Sequence, residues 1–250
     1  MIGLTERAEQ YEERGYNPRK AALGQRRFHH YGMPFAAHVK AGVSATSPAC
    51  RAVVAARLRD PGSEWAALRA LQIAQFTTPA RLEDRDDLRG ALERLGLPGA
   101  ELVAAIDSPE VVAAYEADRA ETRTAASTPP EVQNRTAQTD GPVRFTAPSI
   151  IFERDGERMV AGGFQPLEAY DVLLAHLAPD LPRRGAPESV AEMLAELPEG
   201  VFTAEAAAVL CAHHLDVPDP GAAESTLIEA VADGVARRVD VGDSALWLAA

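Results

Sequence analysis

The sequence is poor in cysteine: only Cys50 and Cys211 occur in 250 residues. Two distant thiols cannot form a disulfide framework, and such usage fits a reducing compartment, so a cytoplasmic protein with unpaired thiols is expected. Long apolar runs are also missing. No stretch approaches the roughly 18 apolar residues that a spanning helix needs, and Met1–Arg7 lacks the basic-then-apolar pattern of a signal peptide, so no membrane partner is expected. Positive charge is short as well. The formal net charge is −12, which repels phosphate backbones and argues against nucleic acid as a main partner. Phosphate-binding glycine loops, nucleophile elbows and His-Glu-x-x-His motifs are absent.

What is present is a globular composition, 46% hydrophobic, with length for one large domain or two small ones. Residues 4–14 predict a helix with Thr5 as its cap, and Asn17-Pro18 predicts a second start, cap then proline, running to His30. From about 49 to 123 apolar residues recur at spacings of three and four, a helical bundle. Trp65, Leu68, Gln72 and Phe76 fall on one line, Leu88, Leu92 and Leu95 on another, and Ser108-Pro109-Glu110 opens a further helix. Residues 124–142 predict a loop.

The most informative stretch follows. Thr146-Ala147-Pro148-Ser149-Ile150-Ile151-Phe152 predicts a short strand with proline near its start, where a missing ladder donor is tolerated. Asp155-Gly156 turns it into a second strand, Arg158 to Ala161. Gly162-Gly163-Phe164-Gln165-Pro166 then opens a helix striped by Leu167, Tyr170, Leu174 and Leu177. Residues 179–187 are a linker by composition. Beyond it come helices near 188–197, 203–213 (Thr203 as cap) and 222–232, then a hairpin turning at Asp240–Asp243. That order resembles a winged-helix module, but residues 187–250 carry twelve carboxylates against Arg237 and Arg238. A DNA reader needs the opposite sign, so a protein partner or self-association through this part is expected instead.

The proline-led hairpin, double glycine and Gln-Pro helix start resemble the C-terminal half of the thioredoxin fold, in particular the DsbA-like thiol–disulfide oxidoreductases. Pro48-Ala49-Cys50-Arg51 resembles that family's entry into its helical insertion. The resemblance implies an α/β fold: a thioredoxin-like domain over 1–178 with an insertion at about 49–123, a linker at 179–187, and a winged-helix-like domain over 188–250. It implies a cis Ala147–Pro148 bond, which costs a prolyl peptide only about 0.5–1 kcal/mol. It also implies a substrate-binding set of Ala147, Pro148, Gly163, Phe164 and Gln165, facing a low-molecular-weight thiol or a cysteine-containing protein, with no cofactor and no metal.

The family's Cys-x-x-Cys is absent, and so is the strand that should lie beside the proline strand. The chain is therefore expected to be N-terminally incomplete, a truncated start in preference to a degenerate member. Its thiol–disulfide chemistry is expected to be weak, the alternative being a non-catalytic thioredoxin-like module that binds a thiol or a protein. Cys50 lies early in a helix beside Arg51, the setting that lowers a thiol pKa, yet it also reads as a small buried apolar residue. Gly162-Gly163 reads both as a plain strand-to-helix turn and as a helix start able to receive a carboxylate. Cys211-Ala212-His213-His214 lacks the second ligand pair of a zinc site.

Overall fold

A computed structural model describes residues 3–36, 38–139, 141–183, 185–213 and 216–250. The protein is mixed α/β. In chain order its elements are α1 (Glu9–Glu13), α2 (Pro18–Arg26) with a 3-10 turn Arg27–Tyr31, α3 (Ser47–Arg59), α4 (Glu64–Thr77), α5 (Arg85–Glu93), α6 (Gly99–Ala105), α7 (Pro109–Thr122), α8 (Pro129–Val132), β1 (Thr136–Ala137) and β2 (Arg144–Phe145). Then come β3 (Ser149–Arg154), β4 (Glu157–Gly162), α9 (Leu167–Leu177), α10 (Val190–Glu196), β5 (Val201–Phe202), α11 (Thr203–Val209), α12 (Pro220–Ala232), β6 (Ala236–Val241) and β7 (Ser244–Ala249). Contacts group them into two units, residues 1–4 with 113–184 and residues 5–112 with 185–250. The expected boundaries at 178 and 188 follow composition. The contacts instead join the acidic C-terminal segment to the helical bundle.

In the larger unit the bundle forms as its spacing predicts, with Val54, Leu88, Leu92, Leu102 and Ile106 fully buried. Asn17 caps α2 by accepting the Lys20 N–H at 2.9 Å, and Ser108 accepts the Val111 N–H. The buried face of α4 is not the expected line of large residues. Trp65 is exposed, and the buried residues are Ala67, Arg69, Ala70, Leu71, Ile73, Ala74 and Thr77; the alanines, with Ala52, Ala55 and Ala56 of the neighbouring α3, permit a close approach. Thr5 caps no helix of its own. It is buried and exchanges hydrogen bonds with Thr46 at the start of α3, which leaves the first helix only Glu9–Glu13. Thr203 is likewise the first helical residue of α11 rather than its cap. Glu205, at the third position, accepts the Phe202 N–H at 2.9 Å, and Thr203 Oγ1 accepts the Trp247 indole N–H at 2.9 Å.

The sheet order is β5-β7-β6, antiparallel throughout. Alternation gives it two apolar faces. Ala236, Ala245 and Trp247 pack on Met193, Leu194 and Leu227 of α10 and α12. Phe202, Val241, Leu246 and Leu248 face Ile73 of α4. The hairpin tip is fastened too. Asp243 Oδ1 accepts the Phe35 N–H at 2.8 Å, and the Asp243 N–H donates to the Phe35 carbonyl at 3.0 Å. Gly242 has φ +60°, and a Cβ there would lie 2.7 Å from the same carbonyl oxygen, so no other residue fits.

In the smaller unit, residues 124–142 are more ordered than a loop: α8 forms, and β1 pairs with β2. β3 pairs with β4 around the two-residue turn Asp155-Gly156, both with positive φ. Among the described residues β3 has no second neighbour in its sheet. α9 packs on this hairpin, yet none of its residues is buried, and Leu167 is 59% exposed. The expected stripe is therefore only half covered, because two strands offer too little surface to bury it.

Candidate functional site

The proline segment is held from below and open above. Arg144 and Phe145 of β2 are buried, and the chain then turns outward through Ala147 and Pro148, both exposed, before entering β3. The Ala147–Pro148 bond is cis, as expected. Ser149 fixes the turn. Its hydroxyl donates to the Thr146 carbonyl at 2.7 Å and accepts the Gly163 N–H at 3.2 Å. One side chain thus ties the proline segment to the glycine turn after β4.

Arg135 supports the same place from behind. Its guanidinium donates to the Phe164 carbonyl at 2.6 Å, and its own carbonyl accepts the Thr146 hydroxyl at 3.0 Å. Both glycines are required here. Gly163 has φ +69°, and a Cβ on Gly162 would meet Pro130 Cβ at 2.6 Å. Gln165 Nε2 donates to the Gly162 carbonyl at 2.7 Å, so that amide closes its own turn. The Phe164 ring is 53% exposed beside it.

The five expected residues therefore fall on two adjacent turns. Ala147 and Pro148 form one, Gly163, Phe164 and Gln165 the other, and Ser149 joins them. Neither the N–H nor the C=O of Ala147 is engaged by a described residue, so one donor and one acceptor face solvent. The Gly163 N–H, by contrast, is already used by Ser149, which leaves the glycine turn less suited to a carboxylate. Sequence reading gave no role to Ser149 or Arg135. The first lies within Thr146–Phe152, where a serine after proline is a readable turn signal. The second lies 29 positions from its partner Phe164 and carries no local signal.

Around this site, Arg154 at the end of β3 donates to Asp180 at 2.7 and 3.2 Å, and that hydrogen bond holds the Asp180 carboxyl below its usual value. Neither Cys50 nor Cys211 is in a disulfide, each is partly exposed, and both belong to the other unit. The Cys211 thiol donates to the Ala207 carbonyl at 3.3 Å. His214 lies outside the described residues, and no group of three or more metal-binding side chains occurs among them. Lys40, in the larger unit, donates to Gln75 Oε1 at 3.1 Å and to the Ala80 carbonyl at 2.5 Å; burial pushes its ammonium pKa down to about 8. No described helix is long and apolar enough to cross a membrane.

No protein-family model matches the chain, and its sequence matches no curated protein.

Proposed function

We propose that this chain is a thioredoxin-like module of the DsbA-like, thiol–disulfide oxidoreductase type, and that its part in thiol chemistry is recognition. The observation that supports this is the unengaged, exposed backbone of Ala147, held beside the Gly162–Gln165 turn by Ser149. An extended segment bearing a cysteine can add there as a short strand, donating to the Ala147 carbonyl and accepting from its N–H. The exposed Phe164 ring supplies an apolar wall for a disulfide or thioether sulfur. Exchange itself needs a thiolate to attack a sulfur. Neither of the chain's two cysteines belongs to this unit, and the part proposed for it is binding rather than turnover.

The acidic segment over α10–α12 and β6–β7 follows a winged-helix order, and we assign it contact with a protein surface or a second copy. Twelve carboxylates against two arginines oppose DNA, and the hairpin tip that would reach a groove is fastened to Phe35.

The test is a fluorescence anisotropy titration of the full chain with a labelled cysteine peptide carried as its glutathione mixed disulfide. Saturable binding, weakened about tenfold by Ala147→Pro through loss of one donor, is expected. Equal binding by that variant, or none by the wild type, overturns the assignment. Acceleration of insulin reduction by dithiothreitol would show turnover and overturn the restriction to recognition.

A further inference from the structure

The second apolar face of the β5-β7-β6 sheet buries Leu246 and Leu248 against α4 and leaves Val239 only partly covered. Between it, α4 and the end of α5 lies a cavity of about 420 Å³, within the size range of small-molecule sites. Its floor is apolar: Ile73, Leu95, Val239, Leu246 and Leu248. The register places Arg237 opposite Leu248 and Val239 opposite Leu246, so on β6 the apolar row Val241, Val239 ends in a guanidinium. Arg94 follows α5 and borders the same cavity.

The charges there decide the ligand. Asp240 also borders the cavity, but strand alternation turns its side chain to the opposite face, where it pairs with Arg238. Among the described residues that border the cavity, Glu199 is the one remaining carboxylate. Neither Arg94 nor Arg237 has an ion-pair partner among the described residues. A cation at Arg94 also suits the C-terminal end of α5. Arg237 has no such reason. Two guanidiniums against one carboxylate leave a local positive excess in a chain of net charge −12.

We propose that this cavity binds an amphipathic monocarboxylate of medium chain length. The hydrocarbon chain lies over Leu95, Val239, Leu246 and Leu248, and the carboxylate is held by Arg94 and Arg237, whose planar forks match it. Nothing in this depends on the thiol site.

Isothermal titration calorimetry of the full chain with sodium decanoate, below its micellar range, tests the proposal, with 1-decanol and decyltrimethylammonium as uncharged and cationic comparators. One saturable decanoate site with Kd of about 0.1 mM is expected, with both comparators at least about tenfold weaker. The double variant R94Q/R237Q, checked for an unchanged melt, should lose about tenfold for decanoate and leave decanol unaffected. V239W, which fills the cavity, should remove decanoate binding. Decanoate that binds no more tightly than decanol, that binds R94Q/R237Q equally well, or that gives no saturable heat to about 1 mM overturns the proposal.

Discussion

Arg69 holds the two halves of the larger unit together, and its removal is the sharpest stability test. The residue projects from α4 and is only 7% exposed. Its guanidinium forms a two-pronged pair with Glu205 of α11, 2.6 Å on one side and closer on the other, and donates to the Gly200 carbonyl at 3.1 Å. It also lies over the Phe202 ring at 4.1 Å. Two-pronged charge-assisted bonding is worth about 1.5–3 kcal/mol, and the stacked cation adds about 0.5–2. Arg69→Met keeps the apolar stem and removes Nε, which is buried without a partner, so part of the loss is offset. Glu205 stays behind but is about a third exposed and keeps the Phe202 N–H, which softens the usual penalty of a stranded charge. The net loss should be about 3 kcal/mol, a fall of roughly 6–12 °C in melting temperature for a chain of this size. Urea unfolding followed by the buried Trp247 reads it, and a cycle with Glu205→Gln should show about 2 kcal/mol of coupling. An R69M variant within about 0.5 kcal/mol of wild type would refute the reasoning.

Gly242→Ala should destabilise the same unit by about 1–3 kcal/mol, because the added Cβ meets the Phe35 carbonyl and the backbone is left-handed; a chemical melt checks it. Lys40 gives a pH dependence. Its native pKa lies near 8 against 10.5 for the free side chain, so between those values the unfolded chain binds more protons and stability rises with pH. The stability of wild type relative to Lys40→Met, read from urea melts at pH 7.5 and 9.5, should rise with pH; an unchanged difference would contradict the assignment. The full chain should show no retention on duplex DNA at about 0.1 M salt, and micromolar, salt-sensitive binding in a gel shift would reverse the reading of the acidic segment.

Local chemistry made part of this molecule legible. Asn17-Pro18, Ser108-Pro109 and Asp155-Gly156 each carry their own cap or turn signal, and each forms where the residues predict. The proline segment and the glycine turn were legible for the same reason, since a turn needing Pro or Gly announces itself within a few residues. Long-range partners were not. Thr5 looks like a cap but is drawn to Thr46, 41 positions on, and the acidic tail looks separate because nothing in its composition mentions Arg69 or Phe35. Periodicity of large residues points to the line Trp65, Leu68, Gln72 and Phe76 of α4, whereas its buried face mixes Ala67, Ala70 and Ala74 with Arg69, Leu71 and Ile73. At the site, Ala147 and Pro148 were readable, but Arg135 acts through a tertiary contact that leaves no trace in spacing.

The amide of Ala147 offers the most direct test of thiol recognition. Ala147 is exposed and its N–H has no partner among the described residues, so in the free chain it should exchange with water quickly. In an ¹⁵N-labelled full chain saturated with the glutathione-capped cysteine peptide, that amide should shift and its hydrogen exchange should slow about tenfold or more, together with smaller shifts at Ser149, Gly163 and Phe164. An Ala147 amide that neither shifts nor slows while the peptide is bound, or a response confined to the neighbourhoods of Cys50 and Cys211, would contradict the account.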